Sequence, residues 1–173
     1  DVLAHGLRVD DQGNLIVPMA YRGRITSLQF INADGEKKMM YGAKKSGSYY
    51  RIGNETDCIL ICEGWATGAT LHEATQLCVY IAFDSGNLLN VAKEVRKQFP
   101  LHKIIICADN DQYKKTNTGI KAAEKTACAI DAHIIYPIFK DVSSKPTDFN
   151  DLYMLEGYSP IIDLINPLCS RLY

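Results

Sequence analysis

What this sequence lacks narrows the field first. No apolar run approaches the roughly 18 residues that a membrane-spanning helix requires. The chain opens DVLAHGLRVDD, with neither an initiator Met nor the basic and apolar stretches of a secretory leader. We therefore expect a piece of a longer polypeptide that works in the cytoplasm. There is no CxxC pair and no Cys/His spacing of a zinc module. Cys58, Cys62, Cys78, Cys107, Cys128 and Cys169 are accordingly expected as free thiols in a reducing compartment, most of them in or beside apolar runs. No internal repeat or low-complexity stretch is visible. Net charge is also nearly absent, at −1 over 173 residues, so overall charge neither favours nor excludes a polyanionic partner.

What is present is an ordinary globular composition, 47% hydrophobic and 23% charged, in a chain long enough for one core and a small additional lobe. The charge is unevenly spread. Between residues 20 and 52, Arg22, Arg24, Lys37, Lys38, Lys44, Lys45 and Arg51 face only Asp34 and Glu36, a local balance of +5, which leaves −6 for the remainder. A basic segment next to an acidic one suits a protein that grips phosphates and also binds a divalent cation. A solvated hairpin surface would carry the same charges.

The hydrophobic rhythm changes near residue 56. Before it, short strand-like runs alternate with turn signals: Gly13-Asn14, then LIVPMAY, Arg22-Gly23, RITSLQFINA, Ala33-Asp34-Gly35, MMYG and SYYRIG. Pro18 inside the first run predicts an edge position or a bulge. Residues 1–56 thus read as a small antiparallel lobe. After it, CILIC (58–62), CVYIAF (78–83), KIIICA (103–108) and HIIYPI (133–138) read as buried strands. Helical stretches at about 66–76, 87–99 and 118–131 separate them, and Ser159-Pro160 opens a last helix. Strands alternating with helices predict an α/β domain over 57–173, a Rossmann-like parallel sheet flanked by helices.

Ligands of such sheets bind beyond the carboxyl ends of the strands. The residues there are Glu63-Gly64 after CILIC, Asp84-Ser85-Gly86-Asn87 after CVYIAF, and Asp109-Asn110-Asp111 after KIIICA. Ionised carboxylates gathered at one edge repel unless protons or a cation intervene. Mg²⁺ prefers oxygen ligands and is commonly held by one or two carboxylates together with substrate phosphates. A glycine at 64 leaves room for a tight turn and for a phosphate to approach. Plainer readings stand beside these. Asp-x-Asp can be a turn with a helix cap, and Asp84 or Asn87 can simply cap the following helix.

The ordered pair ICEG (61–64) and ADND (108–111) resembles the Toprim domain of bacterial-type primases, topoisomerases, OLD-family nucleases and recombination mediators. Within that family, LICEGWATGATLHEAT (60–75), IAFDSGNL (81–88), ICADND (106–111) and TDFNDL (147–152) are similar to primases of conjugative plasmids and phages. The preceding LIVPMAYRGRITSLQFINADGEKK resembles the strand-rich part of a primase core, so the likeness runs from about 14 to 165. It implies that Glu63 acts as an acid/base or metal-linked glutamate and that Asp109 and Asp111 hold Mg²⁺, for which Mn²⁺ substitutes. Asp148, replaced or supported by Asp151, would lie near the ion, with a helix cap over 149–156 as the plainer role. Lys121, behind Asn117-Thr118-Gly119, would meet a phosphate or else face solvent.

The implied function is template-directed nucleotidyl transfer to a 3′ hydroxyl, the core reaction of a DNA primase. Its partners would be a single-stranded DNA template, held by the seven basic residues of the lobe, and nucleoside triphosphates. A zinc-binding module and a helicase region would lie elsewhere in the full chain or complex. Other readings stay open: a metal-dependent Toprim nuclease, a non-catalytic single-strand-binding module, and a phosphoacceptor or phosphatase domain. The last usually carries its key Asp after the first strand, where this chain has Glu63. A topoisomerase would need a nucleophilic Tyr that no context here singles out.

Overall fold

A computed structural model describes residues 5–169. Four strands, β1 (Arg8–Val9), β2 (Leu15–Tyr21), β3 (Arg24–Ile31) and β4 (Lys37–Met39), pair in sequence order as an antiparallel sheet. Arg22 and Gly23 both have positive φ, 50° and 77°, which closes the β2–β3 hairpin in two residues and matches the twist of its strands. Pro18 pairs with Leu28 beside a register shift at Met19/Ala20. The short β1 reaches only Leu15 and Ile16, so Pro18 lies past the end of its neighbour, where a missing N–H costs least.

The second sheet contains β5 (Tyr50–Ile52), β6 (Cys58–Cys62), β7 (Cys78–Ile81), β8 (Lys103–Cys107) and β9 (His133–Ile135), in the order β5-β7-β6-β8-β9. All neighbours are parallel except β5, which runs antiparallel to β7. This corrects the expected place of SYYRIG. Its strand edges the larger sheet and not the small lobe, because Tyr50, Arg51 and Ile52 register against Ile81, Tyr80 and Val79.

Alternation along β6 divides the core. Ile59 and Ile61 face α2 (Ser85–Gln98) and α3 (Thr118–Ile130), whereas Cys58, Leu60 and Cys62 face α1 (Trp65–Thr75), α4 (Phe149–Glu156) and α5 (Ser159–Cys169). With both faces covered, β6 is buried at every residue, which is why it reads as an unbroken apolar run. The expected α/β architecture is the one observed. A smaller cluster of Leu7, Val17, Met19 and Phe83 joins the small sheet to the end of β7. Among the described residues, no helix is long and apolar enough to cross a membrane.

The cysteines depart from expectation. Cys62, Cys78 and Cys107 are buried free thiols and Cys128 is an exposed one, but Cys58 is disulfide-bonded to Cys169. The two are 111 residues apart, and their Cα atoms come within 5.6 Å because α5 folds back over the start of β6. No local spacing announces such a pair.

Candidate metal and phosphate site

The strand order reverses at β6. The chain leaves β6 through α1 to β7 on one side, and leaves β8 through α3 to β9 on the other, with α1 and α3 on opposite faces. Helices diverging from two adjacent parallel strands leave a crevice at their carboxyl ends. Glu63 follows β6 and Asp109 follows β8 by two residues, so both stand at this switch point. The strand ends are fixed by backbone hydrogen bonds from Ala82 N–H to the Cys62 carbonyl (2.9 Å), Ala108 N–H to Ile135 (2.9 Å) and Asn110 N–H to Thr147 (2.7 Å). Gly119, in the first turn of α3, packs directly against the backbone of Asp109. A Cβ there would overlap the Asp109 carbonyl oxygen.

The carboxylates are not equivalent. Glu63 Oε1 and Asp109 Oδ1 are buried and accept no hydrogen bond. Burial, followed by the charges of Asp111 and Asp84, pushes Glu63 up to about 7. Burial, followed by Glu63, Asp148 and Asp111, does the same to Asp109, also to about 7. Asp111 behaves oppositely. Partial burial works upward on it, but hydrogen bonds from Lys114 and Thr118 outweigh that and hold it below the usual carboxylate range. Its Oδ1 lies 2.8 Å from Lys114 Nζ, and its Oδ2 accepts from Thr118 Oγ1 at 3.0 Å.

Asp148 is both a cap and a neighbour of the site. Its Oδ1 accepts the Asp151 N–H (2.9 Å), and the Asp151 carboxylate accepts the Asp148 N–H (3.3 Å), a reciprocal capping box on α4. Asp148 Oδ2 accepts from Thr67 Oγ1 at 3.3 Å, and burial raises its pKa. Asp84 caps α2 through the Asn87 N–H (3.0 Å) and pairs with Lys45 at 2.6 Å.

As the side chains stand, no three His, Cys, Asp or Glu residues among those described are gathered tightly enough to hold an ion. A divalent cation nevertheless suits the donor set. Two buried carboxylate oxygens without donors, each raised by its neighbours' charge, are relieved by a cation as well as by a proton. Glu63 and Asp109 meet that test directly. Asp111, whose two oxygens are taken by Lys114 and Thr118, does not.

The basic residues do not form one cluster. Lys37, at the start of β4, reaches across from the small sheet. Its Nζ lies 3.6 Å from where a Gly64 Cβ would be, and its charge acts on both Glu63 and Asp109. Gly64 itself has φ −100°, an extended backbone open to any residue, so the turn does not demand glycine and the missing Cβ serves only to leave space. Lys44 stacks over the Tyr21 ring at 3.7 Å, and Arg22 approaches Glu94 at 3.7 Å. Arg24 is exposed. Lys38 lines a hollow shared with Asp10, Asn32 and Glu36. Arg51 lies on β5, beside Tyr80, away from the small sheet. Lys121 is exposed, one turn into α3. Lys114 and Thr67 carry no signal in the sequence, and Asn117 and Thr118 stand out there only as the opening of α3. Asn117 caps α3 through the Ile120 N–H and accepts the Asp111 N–H with the same oxygen. Only its place before a helix hinted at such a role.

Fold and site together define an α/β domain that gathers carboxylates at a topological switch point. The Toprim domain matches residues 58–159, more than half of the chain, and the chain belongs to that family. Two relatives, both named DNA primase TraC from Escherichia coli, are 33% and 31% identical over 145 residues. Each alignment covers 78% of this chain but only 10% and 14% of those proteins. Among solved structures, the RNA polymerase domain of Mycobacterium tuberculosis primase DnaG superposes with a TM-score of 0.59 at 14% identity, covering 96% of this chain and 62% of that one. A DnaG primase catalytic domain bound to ssDNA gives 0.59 at 14% identity, covering 95% and 56%. At such identities the structural likeness speaks for the fold.

Proposed function

We propose that this chain is the catalytic core of a DNA primase, a nucleotidyltransferase that extends a 3′ hydroxyl on a single-stranded DNA template. The observation that carries this reading is the pair of buried, donorless oxygens, Glu63 Oε1 and Asp109 Oδ1, at the switch point of a chain similar to TraC. Mg²⁺, or Mn²⁺ in its place, would be held by Asp109 and Asp111, with Glu63 and Asp148 close by. When bound, the ion supplies charge neutralisation at the phosphates and lowers the pKa of a coordinated hydroxyl. Glu63 Oε1, raised to about 7, is suited to take a proton near neutral pH. Asp148 and Asp151 fix α4 and the Thr147 backbone, which in turn orients Asn110. Lys37 brings positive charge to Gly64, where a phosphate of the incoming nucleotide would lie. Arg22, Arg24, Lys38, Lys44 and Lys45 would track the template backbone, with Arg51 and Lys121 at the margins.

The division we propose sets residues 1–56 apart from 57–173, with Tyr50–Ile52 of the first contributing a strand to the sheet of the second. We place the protein in the cytoplasm, as one part of a larger assembly that supplies a zinc-binding module and a helicase region. The deciding experiment uses a short primer already annealed to a template, with nucleoside triphosphates and Mg²⁺ or Mn²⁺. Slow metal-dependent extension, lost in Asp109→Asn and Asp111→Asn, is expected. Metal-dependent shortening of the labelled strand would make the chain a nuclease. DNA binding without either reaction would leave a non-catalytic module.

A further inference from the structure

Asp111, like Asp84 and Asp148, has both carboxylate oxygens partnered, but its cation comes from its own loop, three residues on, and the manner of that pairing is informative. The loop from Asp111 to Asn117 is pinned at both ends. The Asp111 N–H donates to Asn117 Oδ1 (3.1 Å), Asn117 Nδ2 donates to Asn110 Oδ1 (3.0 Å), and the Lys114 N–H closes a turn on the Asp111 carbonyl (3.0 Å). Within this fixed frame the Lys114 ammonium sits 2.8 Å from Asp111 Oδ1, yet its side chain is 66% exposed against 13% for Asp111. The carboxylate is therefore held in place by Thr118 and the loop. The lysine is held by little besides the carboxylate.

We propose that Lys114 is a resident counter-ion of Asp111 that gives up its place to a divalent cation and then binds the terminal phosphates of a nucleoside triphosphate. The inference rests on the reading of Asp109 and Asp111 as ion ligands. Three physical points carry it. An ion pair between residues three apart whose lysine is largely exposed constrains that lysine weakly and exchanges readily. A second cation on the same carboxylate repels the ammonium, whose four-carbon stem lets it move by several ångströms while the loop stays fixed. Phosphate oxygens sharing an ion with Asp111 would have to enter from solvent, the side on which the Lys114 side chain is 66% exposed. Lys115, next in sequence, has no ion pair with an acid of the edge and serves as a charge-matched control.

The test has two readouts, neither of which is turnover. Free Mn²⁺ is followed by electron paramagnetic resonance as Mn²⁺ alone is titrated into the 173-residue chain and into Lys114→Met, Lys115→Met and Lys114→Arg. Removing the competitor should tighten Mn²⁺ binding about twofold to fivefold in Lys114→Met, with a smaller gain in Lys115→Met and none in Lys114→Arg. Equilibrium dialysis of ATP against the Mn²⁺-saturated proteins should then show the reverse, about fivefold to tenfold weaker binding in Lys114→Met, restored by arginine. Unchanged Mn²⁺ affinity in Lys114→Met, or an equal gain in Lys115→Met, overturns the counter-ion role while the ion site stands. Unchanged ATP affinity overturns the transfer to phosphate. Failure of the unsubstituted chain to bind Mn²⁺ overturns the ion site itself and this inference with it.

Discussion

The two sheets solve opposite problems. The parallel sheet is covered on both faces, and β6 is buried throughout. The antiparallel sheet is covered on one face, its β4 strand is exposed at every residue, and it is fastened to the rest through a four-residue cluster around Phe83. The first places short acids on rigid strand ends, where a displacement of an ångström matters to catalysis. The second carries long cations, whose flexible stems tolerate an approximate base. Lys37 shows the connection. It starts on the exposed strand and ends beside Gly64.

The largest effect expected from this contrast is catalytic. Asp109→Asn keeps the shape of the rigid edge and removes its charge, and primer extension should fall about a thousandfold or more. Arg24→Ala on the other sheet should cost far less, and comparable losses in single-turnover extension would erase the distinction. Next in size is a steric prediction. Gly119→Ala should favour α3 by helix propensity, yet its Cβ meets the Asp109 backbone. We expect a net destabilisation of about 2 kcal/mol in urea melts, because overpacking against backbone exceeds the propensity gain.

A third prediction concerns pH. Glu63 and Asp109 titrate near 7 in the folded chain, against 4.5 and 3.8 ordinarily. Between those limits the unfolded chain holds fewer protons, so in EDTA the stability should fall as pH rises from about 4 to 7. Asp109→Asn should flatten that decline and leave the protein about 2 kcal/mol more stable than wild type at pH 8. Urea melts at pH 5 and pH 8 check the sign, and a rise in wild-type stability with pH would show that the acids are not crowded. The smallest effect belongs to the exposed sheet. Arg24→Ala with Lys44→Ala should weaken single-strand binding about equally across sequences and lower the salt slope by about 1 to 2. An unchanged slope would reduce that surface to a solvated hairpin.

These contrasts were unequally legible in the sequence. Strands buried on both faces announce themselves as apolar runs, so β6, β7 and β8 were readable, and with them the positions of Glu63, Asp109 and Asp111. SYYRIG was assigned to the wrong sheet, because an edge strand alternates in the same way whichever sheet it joins. The pairing of Lys114 with Asp111 was hidden for a related reason. It depends on a turn held by Asn117 from six residues away, and QYKKTNT carries no sign of it. The room left at Gly64 could be named, but its extended φ could not. The fusion of cap and site at Asp148 likewise leaves one short motif with two meanings.

The bond between Cys58 and Cys169 has a topological consequence. It makes the chain from β6 to α5 a closed covalent ring, and Glu63, Asp109, Asp111 and Asp148 all lie within that ring. A single cut in the exposed loop at 112–116 opens a ring without dividing the molecule. Limited proteolysis there should yield a protein that runs as one band on a denaturing gel and separates into two only when thiol is added. Inside a reducing compartment the ring becomes a linear chain, and the same cut would free α3, α4 and α5 as one piece.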